Sequence, residues 1–185
     1  RVRGPLRLLQ GIGHVQVGAI LRQVRAEPAD APNTTVSTGG FGFHVSGRMK
    51  PALWKDQDDL TWAVYAGRGM GSYISDLRTL GGQDGVYDPA TNTIEALPVF
   101  ASYAGYQHWW NDTLRSTATF GWVYVDNLDI QGPDALHQTV RYSINLSWSP
   151  IARLDLVGEF LSGQRLNKNG DRGVASQFQF GTRFR

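Results

Sequence analysis

The stretch "VRYSINLSWS", residues 140–149, sorts onto two faces when it is read as an extended strand. Val140, Tyr142, Ile144, Leu146 and Trp148 fall on one side, and Arg141, Ser143, Asn145, Ser147 and Ser149 on the other. Successive side chains of a strand point to opposite faces, so a sustained period of two predicts a β-strand with one apolar and one polar face. The pattern recurs downstream. Leu154, Leu156 and Phe160 oppose Arg153, Asp155 and Glu159, and Val174, Phe178, Phe180 and Phe184 oppose Gln177, Gln179, Arg183 and Arg185. Upstream, "LRSTATFGWVY" (114–124) sets Leu114, Ala118, Phe120, Trp122 and Tyr124 against Arg115, Thr117, Thr119 and Gly121.

Earlier segments follow the same rule. Phe41, Phe43, Val45 and Met49 oppose His44, Ser46, Arg48 and Lys50, while Leu60, Trp62, Val64 and Ala66 make a weaker apolar side. Val15, Val17, Ala19 and Leu21 oppose Gln16, Gly18 and Arg22, with Ile20 out of place on the polar side. The stretch "LPVFASYAGYQHWW" (97–110) is ambiguous in face. With a weak first strand near residues 3–10, about nine strands are expected.

The chain has 185 residues, a formal net charge of +2, 22 glycines and no cysteine. Its length suits one domain over 1–185. Without cysteine, disulfide frameworks and thiolate metal sites are excluded. No apolar run is long enough for a transmembrane helix. Short connections at 11–13, 111–113 and 149–152, and a somewhat longer one at 51–58, alternate with longer polar loops at about 27–35, 74–96, 127–137 and 167–172. Short turns at one end and long loops at the other are the layout of an up-and-down transmembrane barrel.

Both soluble and membrane barrels alternate, so the residue types must decide. Trp62, Trp110, Trp148 and Phe184, with Trp54 and Trp109, gather beside the short turns; Tyr124 and Tyr142 sit toward the long loops. Two such belts are expected where amphipathic rings meet lipid headgroups. The polar faces carry charges that would cost several kcal/mol each in a dry core without partners, whereas a water-filled lumen takes them cheaply. Arg22, Arg48, Lys50, Arg115, Arg141, Arg165 and Arg183, with Arg7 and Arg153, fall on the predicted lumen face, against only Asp155 and Glu159. Most other acids fall in loops. A basic channel wall favours anions. The alternative, that these arginines pair with acids from parts of the barrel outside this chain, stays open.

"YAGRGMGSYI" (65–74) has the glycine content of a phosphate-binding loop, but it reads as a continuing strand with no helix after it, so no nucleotide is implied. Gly67, Gly69 and Gly71 instead leave room on the lumen side for an inward-folded loop or a bend. "DQDD" (56–59) and "NKNGDRG" (167–173) lack the ligand spacing of a calcium loop and read as solvated turns. His14, His44, His108 and His137 lie apart in the sequence, with no metal-ligand spacing. No metal, cofactor or catalytic constellation is expected, and no nucleic-acid platform, because basic and aromatic residues fall on opposite faces.

The segments "HVQVGAILRQ", "DDLTWAVYAGRGMGSYISDL", "EALPVFASYAGYQHWWNDTLRSTATFGWVYVDN" and "YSINLSWSPIARLDLVGEFLSGQRLNKNGDRGVASQFQFGTRFR" together resemble the C-terminal half of the DcaP-like outer-membrane porins. The resemblance implies a bacterial outer membrane, a homotrimer, and an arginine-lined passage for small anions, dicarboxylates among them. It makes this chain an incomplete portion of a larger, 16-stranded barrel whose N-terminal strands, with any inward-folded constriction loop, lie outside it. Two other classes stay open. A lipase-like membrane barrel needs a Ser/His constellation on the lipid-facing surface, and a soluble lipocalin-type barrel needs an apolar interior.

Overall fold

The computed structural model describes residues 6–8, 13–28, 34–50 and 57–184. Trp54, Asp56 and Arg185, and the side chain of Arg7, lie outside the described residues. The chain opens with β1 (Leu6–Leu8), β2 (Gly13–Ala26), β3 (Val36–Met49) and β4 (Asp59–Arg68). An insertion follows: a 3-10 turn (Gly71–Tyr73), the one-turn helix α1 (Ser75–Thr79), and a hairpin of β5 (Gly85–Asp88) and β6 (Thr93–Ala96). The chain then continues through β7 (Pro98–Trp109), β8 (Leu114–Val125), β9 (Leu136–Ile151), β10 (Leu154–Asn167) and β11 (Arg172–Phe184).

Nine strands pair antiparallel in one open sheet, in chain order apart from the β5–β6 hairpin, which forms a small sheet of its own. From β2 onward the strands of the large sheet run from 10 to 16 residues, enough to cross a bilayer at a tilt. Register keeps the two faces separate across the sheet. One row runs Ala118, Ile144, Phe160, Phe178; the adjacent row runs Thr117, Asn145, Glu159, Gln179. A slip of one residue would exchange the two faces throughout.

One face is bare and apolar: Leu21 is 69% exposed, Ile144 56% and Phe180 82%. The other face is sheltered by the insertion. Met70, Ile74, Leu77 and Leu97 pack there against Val99, Ala101, Val123, Val125 and Leu136, and Leu77 is fully buried.

Two expectations are corrected here. The strand through "AVYAGRGMGSYI" stops at Arg68, and short helical turns do follow it. Gly69 turns the chain with φ +67, a conformation that side chains resist, and its N–H donates to Leu97 O at 2.9 Å. The inward-folded segment, expected to lie outside this chain, occupies 69–97. Its footprint explains the glycines. A Cβ at Gly42 would stand 2.6 Å from Met70 Sδ, and one at Gly67 2.7 Å from the same sulfur.

Candidate functional site

The sheltered face gathers the basic side chains, but most of them are engaged. Arg22 holds the insertion: its Nη1 donates to Ser72 Oγ at 2.8 Å, Asp84 Oδ2 at 2.9 Å and Gly69 O at 3.1 Å, and the guanidinium lies over the Tyr73 ring at 5.3 Å. Arg48 is ion-paired with Asp59. Arg115 reaches Asp155 at 3.2 Å and stacks over Trp109 at 5.1 Å, while Ser149 Oγ donates to the same carboxylate at 2.6 Å. Arg165 ties two loops together through Leu80 O at 3.1 Å and Asp134 O at 3.0 Å. Lys50 stands just past β3, and Arg153 is in the tight turn before β10. Arg183 is exposed on the edge strand, and Arg141 is exposed on β9, two strands in from that edge. Among the described residues, Arg141 and Arg183 make no ion pair.

Replacing Arg22 by alanine is therefore expected to loosen the insertion locally by about 1–3 kcal/mol, the usual worth of hydrogen bonds to a charged group. Hydrogen exchange should read this as lost protection at Gly69 N–H and at Leu97 N–H, which donates to Asp84 O at 3.0 Å. Amides in β9 and β10 should be unchanged.

Between the insertion and β7–β11 lies a cavity of about 540 Å³. Its polar lining comes from both sides: Tyr73 and Asp76 from the insertion, Arg141, Glu159 and Gln179 from the sheet. Glu159 Oε2 accepts from Gln179 Nε2 at 2.7 Å. Asp76, Asp84 and Tyr73 are participants that sequence reasoning missed, because nothing in residues 74–96 shows that the loop folds inward. Two signals were present, the first being the room that Gly67 leaves for an inward-folded loop. Ile20, misplaced on the polar face, lies beside Gly42, whose added Cβ would be 3.2 Å from Ile20 Cγ2.

On the bare face, Trp62, Trp110, Trp148 and Phe184 stand toward the short-turn end, and Tyr124 toward the long-loop end; Tyr142 is nearer mid-strand, opposite Phe120. Trp109 departs from the expected belt. Its register partner is Arg115, on the sheltered face.

The "DQDD" turn is not simply solvated. Asp58 is 1% exposed and accepts from Tyr106 Oη at 2.8 Å, Trp109 N at 2.9 Å and His108 Nδ1 at 2.9 Å. His108 is in register with Ser116, so the fold brings together Asp, His and Ser on the bare face, which the sequence did not reveal. Ser116 Oγ instead accepts from Trp110 Nε1 at 3.1 Å, and that indole meets the His108 ring edge-on at 4.5 Å. The serine lacks the hydrogen bond to histidine that activates a nucleophile. His44 stacks on Tyr65, and His137 contacts Asn127 at 2.8 Å.

A long-stranded antiparallel meander with one apolar exposed face and a polar face carrying an inward-folded insertion is the wall of an outer-membrane-type β-barrel. Comparison with solved structures supports that class: the chain superposes on the outer membrane channel DcaP of Acinetobacter baumannii with a TM-score of 0.68 at 15% sequence identity. The match covers 98% of this chain and 61% of that one, so the chain spans less than two thirds of the length of the channel it resembles. No protein-family model and no curated protein matches the sequence.

Proposed function

We propose that this chain forms part of the wall of an outer-membrane channel of the DcaP-like kind, through which small, mainly anionic solutes diffuse passively. The observation that carries the reading is the partition of the sheet. Leu21, Phe41, Phe43, Ile144, Leu146, Phe178 and Phe180 stand exposed on one face, far more apolar surface than a soluble monomer ordinarily leaves to water. The other face offers guanidinium, hydroxyl and amide groups. A lipocalin-type barrel would reverse that arrangement. Open edges are not tolerated in lipid, so the reading requires further strands to close the barrel, and a homotrimer is the assembly that the resemblance suggests.

Selectivity in this reading is electrostatic and modest. Arg22, Arg48 and Arg115 are largely neutralised by their carboxylates, so attraction of anions falls to arginines without a carboxylate partner, Arg141, Arg165 and Arg183 among them. The test is reversal potential across planar bilayers holding the full-length protein in a salt gradient. Wild type is expected to prefer chloride over potassium at low salt, and Arg141→Gln should move the reversal potential toward the cation side, with the difference shrinking as salt screens the charge. Cation preference in wild type, or no channel activity, would overturn the proposal.

A further inference from the structure

The cavity beneath the insertion holds charges of both signs that are kept apart. Arg141 stands on β9 between its register partners Gly121 of β8 and Gly163 of β10. A Cβ added at either glycine would meet nothing closer than 3.9 Å, so the guanidinium has lateral room. Glu159 comes from β10 and Asp76 from α1, and both line the same cavity as Arg141. Asp76 and Arg141 also share the lining of an adjoining groove. Among the described residues neither carboxylate is ion-paired with Arg141. That differs from Arg22, Arg48 and Arg115, each of which contacts a carboxylate directly.

Resting on the channel reading, we propose that this cavity is a binding station for small zwitterions, solutes with a carboxylate at one end and an ammonium group at the other. Arg141 takes the carboxylate, through the forked hydrogen bonds that a guanidinium offers. Asp76 and Glu159 take the ammonium group. Opposite charges lining one protein-walled cavity set up a directed field. A zwitterion aligned in it gains at both ends, whereas an uncharged solute gains at neither. The groups are partly solvated, so the hold is weak enough for release, as passage requires.

The experiment uses full-length protein in liposomes and compares swelling in γ-aminobutyrate, succinate and an uncharged sugar of similar size. Wild type should admit γ-aminobutyrate faster than the sugar. Asp76→Asn with Glu159→Gln should lower that ratio roughly two- to fivefold, the range of exposed ion pairs, with sugar entry unchanged. Asp76→Asn alone should lower it part of the way, and serves if the double variant admits no sugar. A ratio that stays constant while sugar still enters would overturn this inference and leave the channel reading standing. No swelling of wild-type liposomes in any of the three solutes would overturn the channel reading and the inference with it.

Discussion

Ile144→Arg is expected to cost about 2–4 kcal/mol of folding stability in a bilayer, the penalty for a cation on the lipid face near the midplane. Asn145→Arg, one residue along the same strand, is expected to change stability by less than about 0.5 kcal/mol. Ile144 sits in the middle of β9, flanked in register by Ala118 and Phe160, with its side chain on the bare face. Asn145 faces the other way, beside Thr117 and Glu159, where an added guanidinium meets water and a carboxylate. In water the ranking would vanish, because an exposed isoleucine can become arginine at little cost. Urea titration of the full-length protein folded into lipid vesicles reads the difference. Equal, small effects at both positions would overturn the membrane assignment.

The strands that such an experiment probes were legible from the start because their period is simple. β8, β9, β10 and β11 alternate over most of their length, with exceptions such as Val123, Val125, Val157 and Leu161 on the polar side, and the observed register places the apolar sets together as the pattern requires. Two kinds of feature were not legible. The first is the insertion. It buries Val99, Ala101, Val123 and Val125 on the face that is otherwise polar, so residues 97–110 are apolar on both sides and the period gives no preference there. Ile20 is the same signal in a single residue.

The second is pairing at long sequence separation. Arg22 and Asp84 meet only because the insertion folds inward, and Arg115 and Asp155 because three strands align. Residue types gave the sign of each charge but not its partner. The basic wall therefore looked stronger in the sequence than in the fold. A guanidinium in contact with a carboxylate acts on a passing ion mainly as a dipole, whose field falls faster than that of a lone charge. In the proposed channel, selectivity rests on arginines without a carboxylate partner, Arg141 and Arg183 among them, while Arg22, Arg48 and Arg115 serve chiefly to fix loops and strands in place.

Asp58→Ala is expected to destabilise the protein by on the order of 3 kcal/mol, because it leaves three donors without their carboxylate and each buried, unsatisfied donor costs about 1–3 kcal/mol. Asp58→Asn keeps one acceptor oxygen and should cost less. Burial by itself would push the Asp58 carboxyl up, but the hydrogen bonds from Trp109 N, His108 and Tyr106, together with the attraction of His108, outweigh it and hold the carboxyl below its ordinary value of 3.8. The sign follows from linkage. A carboxyl that binds its proton less readily in the folded state contributes stability in full above its ordinary value, and loses that contribution as pH falls through the lower, native one. The stability gap between wild type and Asp58→Asn should thus be widest near neutral pH and narrow in acid, as measured by urea titration at a series of pH values. A gap that stays constant down into the acid range would mean that Asp58 pins the 57–59 turn to the end of β7 by shape alone, and that its charge contributes nothing.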